Sequence, residues 1–356
     1  MNQRKTSLEL LRIFSIITIL FCHLYIYNGV FYQEFTPNSI ISLFLCAGTS
    51  VPSDYIFIGT SSYFLIKKKD KWHPKRLLSF LALVCTLLVF KLAILRGLFG
   101  YGNTQYFVDL FLIKGAWWYA MQYALMLLYY PLLNKLIYRK NPTLLYLCTA
   151  LLFIPYLKNG VTNDMNDVND LIMFVLTYLV MGCLYVHPPK WTFFKSHKKP
   201  FLIALALVCN LGMLISCVYT KLPVSGIELK VANDFIWHII GRYCFPAMIV
   251  GLCLFELFRE WDMAPSKLVF SLSKLTIYVF LLHETTMGIF WYFKKCWNTL
   301  NYDPVPEFLF WSAMYIIGCF AFAAIMYRIY TTLFEPVWNK LIQKVCDFYT
   351  ERKSKC

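Results

Sequence analysis

Apolar residues in this chain gather into long runs separated by short polar stretches. The runs fall at about 8–27, 40–66, 77–95, 117–137, 143–157, 170–187, 201–219, 235–257, 269–292 and 308–333. Most of them match the roughly 20 residues a helix needs to cross a bilayer core. Strands of an outer-membrane barrel would instead be short and alternate apolar with polar positions. The pattern predicts an all-α, polytopic membrane helical bundle of about ten transmembrane helices. No linker, low-complexity stretch or repeat divides it, so residues 1–356 read as a single integral membrane domain ending in a basic tail at about 338–356.

Composition supports that reading. Hydrophobic residues make up 59% of the chain and charged ones only 15%, where a soluble domain carries about a quarter charged. A soluble enzyme with one oversized core is excluded. The net charge of +15 would suggest nucleic acid in a soluble protein. Here the lysines and arginines sit in short loops, and no nucleic-acid motif accompanies them.

Their distribution sets an orientation. With the N-terminus in the cytoplasm, 23 of the 34 lysines and arginines fall inside and seven outside. That bias puts both termini in the cytoplasm and requires an even number of spans, which ten satisfies. The N-terminal apolar stretch reads as a membrane helix, because it has no small-residue cleavage site and contains Arg12 and His23. The 13 cysteines are scattered singly, without a CxxC pair. They read as small apolar filler, and neither a metal nor a redox site is expected.

An ionisable residue near the centre of a span costs about 2.5–3.5 kcal/mol even on insertion scales, so it usually has a partner or a task. The first segment holds Glu9, Arg12 and His23. Arg12 and His23 are eleven residues apart, which returns to within about 20° of the same helical face and separates them by roughly 16 Å along the axis. Glu9 stands one turn before Arg12 and can pair with it. Elsewhere, Asp234, His238 and Arg242 recur every fourth residue, as a structural ion-pair ladder or a hydroxyl-substrate site would. Trp117, Trp118 and Tyr119 suit an interfacial aromatic belt. Gln122 and Asn134 share a face that lines a cavity or binds helices together.

Several of these pieces resemble acyltransferase family 3, the integral membrane acyltransferases that modify bacterial surface glycans. Arg12 and His23 are separated by ten residues, like the family's opening arginine and histidine. Ser61-Ser62-Tyr63-Phe64-Leu65 is similar to its Ser-Gly-Tyr-hydrophobic-Leu motif and is followed by a basic turn. Trp118-Tyr119 to Pro131 with Asn134 is similar to its Trp-Tyr…Pro-Leu-Leu helix. Ser273 to His283 is similar to its Ser…Ile-Tyr-Leu-Leu-His segment, and Phe334-Glu335-Pro336 to its C-terminal end. The matches are collinear over nearly the whole chain. Ser62 and Gln122 depart from the family's glycine and glutamate, and the basic turn lacks its paired arginines.

The resemblance implies transfer of a short acyl group from cytoplasmic acyl-CoA, usually acetyl-CoA, to a hydroxyl of a cell-surface or lipid-linked glycan. It implies a bacterial plasma-membrane location and no permanently bound cofactor, acyl-CoA serving as co-substrate. His23 would act as general base or transiently acylated nucleophile, and Arg12 would hold a donor phosphate or stabilise the thioester oxygen. Lys75 and Arg76 become candidates for the CoA phosphates, with Tyr119, Tyr123, Ser273 and His283 as further substrate contacts. Membrane lipids and a second copy of the chain complete the expected partners. A polytopic transporter or flippase for lipid-linked sugars is the alternative, and repeated halves or broken helices would favour it.

Overall fold

The computed structural model describes residues 5–30, 36–69, 74–99, 118–162, 167–188, 192–222, 225–228, 231, 236, 238, 241, 243–294 and 303–355. The helices are α1 (Thr6–Tyr27), α2 (Pro37–Leu45), α3 (Val51–Ile66), α4 (Pro74–Phe99), α5 (Trp118–Ile137), α6 (Thr143–Thr162) and α7 (Asp167–Val186). They continue with α8 (Thr192–Lys221), α9 (Phe245–Glu260), α10 (Lys267–Lys294), α11 (Val305–Ile329) and α12 (Glu335–Lys355). No strand occurs among the described residues. The described parts of the ten apolar runs are helical except at His187 and at Gly241, Tyr243 and Cys244, so the run 235–257 is broken ahead of α9 and is not the single span its hydropathy suggests.

Among the described residues, five helical stretches are long and apolar enough to cross a membrane by length and composition: Thr6–Tyr27, Pro37–Ile66, Val168–Val186, His197–Lys221 and Val305–Asp347. The His197–Lys221 stretch has a mean hydropathy of 2.5, yet only 17% of its most apolar window is buried. Ile203, Leu207, Val208, Leu211 and Ile215 all face outward from it. An apolar exterior of that extent is stable against lipid and not against water. The chain is a membrane protein.

Two other runs carry π-helical turns. Between α2 and α3, residues Cys46–Ser50 form a π-helical turn. Pro52, at the second position of α3, supplies no N–H to the Gly48 carbonyl, the partner a regular α-helix would assign it. Asn210 of α8 donates to that carbonyl instead, at 2.7 Å. A second π-helical turn, Tyr330–Phe334, joins α11 to α12. Here Pro336 would crowd the Thr332 carbonyl in a regular helix, and widening the turn relieves the clash.

The basic tail is also more than a loop. It forms α12, whose first half packs along α4. The Trp338 indole N–H donates to Thr86 Oγ1 at 3.0 Å, the Phe334 and Phe90 rings meet edge to face at 5.5 Å, and Lys75 Nζ donates to Gln343 Oε1 at 3.4 Å. Trp118 and Tyr119 correct the aromatic-belt expectation. Both are buried, Tyr119 packing on Phe57, Phe174 and Phe280; Trp117 lies outside the described residues.

Close packing surrounds α1, which touches α2, α3, α9, α10 and α11. Tyr25 stacks on Phe308 of α11 and donates to Ser312 at 3.1 Å. The Thr18 and Ser53 hydroxyls share a hydrogen bond of 2.8 Å between α1 and α3. Asn134 binds three elements: its amide donates to the carbonyls of Leu65 (3.1 Å) and Lys69, and its Oδ1 accepts from Tyr178 OH at 2.8 Å. Of the two roles open to it, gluing helices is the one its contacts describe.

Candidate active site

Both polar residues of α1 reach the same neighbour, as their spacing requires. Arg12 Nη2 donates to Thr276 Oγ1 of α10 at 3.3 Å, and His23 meets His283 of α10 at 2.7 Å. Arg12 also pairs with Glu9 at 3.0 Å. The Glu9 carboxylate is buried, and each charge offsets the desolvation cost of the other.

The two imidazoles define their own protonation pattern. His283 Nδ1 lies 2.6 Å from the carbonyl oxygen of Phe280. A carbonyl only accepts, so that nitrogen carries the proton. In neutral His283 the Nε2 atom is then an acceptor, and it faces His23 Nδ1 at 2.7 Å. His23 must donate from Nδ1, which leaves the basic lone pair of its neutral ring on Nε2. His283 is buried while His23 is half-exposed. A fixed ring thus orients a more accessible one.

Directly inward of this pair lies a cavity of about 230 Å³. Ile19 and Phe280 stand at its histidine end, each one turn before His23 and His283 in sequence. Its polar groups are Arg12, Asp54, Ser61, Tyr119, Tyr123 and Thr276. Tyr119 and Tyr123 stack with nearly parallel rings, centroids 6.2 Å apart, and the Tyr119 hydroxyl lies 3.3 Å from Ser61 Oγ. The Phe280 ring is 5.4 Å from Tyr119 and 6.0 Å from His283. It stands at the junction between cavity and imidazole. The volume is below the roughly 300–1,000 Å³ of a site that encloses a drug-sized ligand. It suits a thin arm of a substrate better than a whole one.

Basic groups gather on the α3–α4 side of the fold. Lys67 lies over the Tyr63 ring at 4.1 Å and Lys69 over the Tyr138 ring at 5.9 Å. Lys68 faces Arg76. Partial burial, then the Arg76 charge, holds the Lys68 ammonium below the usual lysine range. An anion seated between them would relieve that repulsion. Lys75 is exposed and turns toward Gln343 of α12. Ser273 is buried and donates to the Phe270 carbonyl of its own helix at 3.2 Å, so it does not line the cavity.

His238 lines a different, mostly apolar cavity of about 460 Å³ with Tyr243 and Met213. Asp234 and Arg242 lie outside the described residues. Asp54 escaped the sequence reading, although it is the lone charged residue between Pro37 and Ile66. The intramembrane-charge argument that singled out Arg12 applies to it equally. No such signal marks Thr276, Phe57 or Phe80. No group of three or more potential metal ligands is clustered among the described residues.

The described residues thus form a helical membrane bundle that holds an oriented imidazole beside an arginine-bearing internal cavity. A family profile described as an acyltransferase domain matches residues 5–328. The chain belongs to that family, acyltransferase family 3, and is a membrane acyltransferase. No curated protein matches it, and no solved structure does.

Proposed function

We propose that this protein carries a short acyl group, acetyl in the simplest case, from cytoplasmic acyl-CoA to a hydroxyl of a cell-surface or lipid-linked glycan. It does so from the bacterial plasma membrane, with ten spans and both termini in the cytoplasm. The observation supporting this reading is the His23–His283 pair, whose proton order leaves a basic nitrogen on His23 next to the Arg12 cavity.

The donor's phosphates bind at Lys68 and Arg76, and Lys75 adds exposed charge beside them. The donor arm threads the cavity past Tyr123 and Tyr119, bringing the thioester to the histidines. Arg12 lies roughly 16 Å below His23 along α1. It therefore holds the arm and does not touch the reacting carbonyl. His23 Nε2 takes the acceptor's hydroxyl proton as the oxygen attacks the thioester carbon. Collapse of the tetrahedral intermediate breaks the carbon–sulfur bond, and the imidazolium returns the proton to the departing thiolate. His283 steadies the positive ring by accepting the Nδ1–H bond. The same Nε2 lone pair serves a base or a nucleophile, and general-base action is the simpler route because it needs one tetrahedral intermediate and no acyl-histidine.

The test uses His23→Ala. It should abolish acylation while the protein still accumulates in the membrane, read by NMR of purified polysaccharide and by transfer of label from acetyl-CoA to a glycan acceptor. Normal glycan acetylation in this variant would refute the assignment.

A further inference from the structure

A second cavity, of about 330 Å³, adjoins the reaction cavity along α4. Phe80 and Leu83 line both. Its remaining walls come from α10, from the end of α11, from the π-helical turn and from α12. We propose that it is a binding site for a primary ammonium group.

Three features carry this. The first is charge. Glu335 contributes a carboxylate, and no lysine, arginine or histidine lines the cavity, in a chain whose net charge is +15. No ion pair or side-chain hydrogen bond to Glu335 occurs among the described residues. The second is aromatic enclosure. Tyr278 meets Tyr327 edge to face at 5.3 Å and 87°, and Tyr330 at 6.1 Å and 65°. Trp338 adds an indole that its hydrogen bond to Thr86 holds against α4. Ring faces around a carboxylate attract cations and repel anions. The third is hydrogen-bonding capacity. Thr331 and Asn339 border the same space, and their oxygens accept protons that a primary ammonium can donate and a quaternary one cannot.

The π-helical turn explains why these groups converge. An extra residue in the turn re-aims the side chains that follow it, placing Glu335 and Trp338 on the face that carries Tyr330. On the same π-helical turn and α12, Leu333, Val337 and Leu341 are exposed apolar residues of the kind that face lipid. The ammonium therefore comes either from an aminophospholipid headgroup or from a soluble amine, and the chemistry recognised is the same. A ligand here would rest against Phe80, whose ring meets Tyr123 of the reaction cavity edge to face at 4.9 Å.

The full-length protein in nanodiscs tests the proposal. Discs of phosphatidylethanolamine, phosphatidylcholine or phosphatidylglycerol are compared by native mass spectrometry for retained lipid. Free ethanolamine and choline are titrated separately against tryptophan fluorescence in phosphatidylglycerol discs. Retention of phosphatidylethanolamine above the other two lipids supports a lipid source. Saturable ethanolamine binding that choline does not match supports a soluble one. Glu335→Gln should weaken whichever is seen on the order of tenfold or more, consistent with loss of a cation's charged partner. If that variant fails to fold, Tyr327→Leu removes an aromatic wall and should weaken binding likewise. Equal retention of all three lipids together with no ethanolamine binding overturns the proposal, as does unaltered binding in a folded Glu335→Gln protein. Neither readout depends on acyl transfer.

Discussion

Replacing His283 tests the proton order more sharply than replacing His23. His283→Ala deletes the acceptor for His23 Nδ1–H and leaves the ring free to turn or to change tautomer. The lost bond, 2.7 Å between ring nitrogens, is modest while both rings are neutral. It strengthens when His23 becomes an imidazolium in the transition state. Hydrogen bonds to charged groups contribute about 1.5–3 kcal/mol. At about 1.36 kcal/mol per factor of ten, acyl transfer should slow on the order of ten- to 150-fold. The loss should fall on kcat, with the KM for acyl-CoA nearly unchanged, because His283 does not line the donor cavity. The assay is transfer of labelled acetyl from acetyl-CoA to a glycan acceptor in proteoliposomes, at matched protein amounts. His283→Gln separates chemistry from packing. Its amide oxygen can accept from His23 while its nitrogen donates to the Phe280 carbonyl, so it should recover part of the rate that alanine loses. Full activity in the alanine variant, or glutamine no better than alanine, would refute the reasoning.

Four further outcomes follow from the geometry. Arg12→Lys replaces a two-pronged donor, bonded to both Glu9 and Thr276, with a point charge; the KM for acyl-CoA should rise about tenfold with a smaller change in kcat. Asp54→Asn, inside the reaction cavity, should alter acyl-transfer kinetics while leaving membrane accumulation intact, checked by the same assay and by immunoblot. Asn134→Ala leaves the Lys69 carbonyl and the Tyr178 hydroxyl without their Asn134 partner, while the Leu65 carbonyl keeps its bond from Lys68 N–H; it should destabilise the protein by about 1–3 kcal/mol, read as a lowered thermal midpoint in detergent. Gly251→Ala would set a methyl 2.5 Å from the Pro52 carbonyl oxygen and 2.8 Å from Tyr55 Cβ; forcing α3 from α9 should cost about 1–3 kcal/mol in the same measurement.

The helical bundle was legible because hydropathy reports where backbone must satisfy itself inside lipid. The shared face of Arg12 and His23 was legible because helical rotation is fixed by geometry alone, and both residues do reach α10. What stayed hidden depends on tertiary contacts. Pro52 announces a disturbed helix, but nothing local says that Asn210, over 150 residues later, meets the orphaned Gly48 carbonyl. Trp118 and Tyr119 have the composition of an interfacial belt, and only the neighbouring Phe57, Phe174 and Phe280 show them to be core. The basic charge of the tail disguised α12, in which Trp338 and Ile342 turn inward one turn apart while Val337, Leu341 and Val345 stay exposed. Asp54 differs from these. Its signal was present, and it was passed over because the run around it read as an ordinary span.

The placement of the polar groups bears on how a thioester could react inside a membrane without a continuous water channel. A rigid α1, enclosed by five neighbouring helices, fixes the distance from cation to imidazole as a ruler does. Roughly 16 Å of helix spans from the arginine that neutralises Glu9 to the imidazole oriented by His283. Phe280 belongs to both ends of this arrangement. Its carbonyl sets the tautomer of His283, and its ring lies against Tyr119 at the cavity's outer limit. On the proposed route, a donor arm advancing through the cavity would displace that ring. Motion of the Phe280 side chain need not disturb its carbonyl, because the backbone is held in α10. The barrier can therefore yield to substrate while the proton order of the histidines persists. Phe280→Leu, which keeps the carbonyl and shrinks the ring, separates the two functions. Hydrolysis of acyl-CoA without an acceptor should increase several-fold, since water reaches the thioester more easily, while transfer to glycan still occurs. If hydrolysis stays at the wild-type level, the ring is packing and not a barrier.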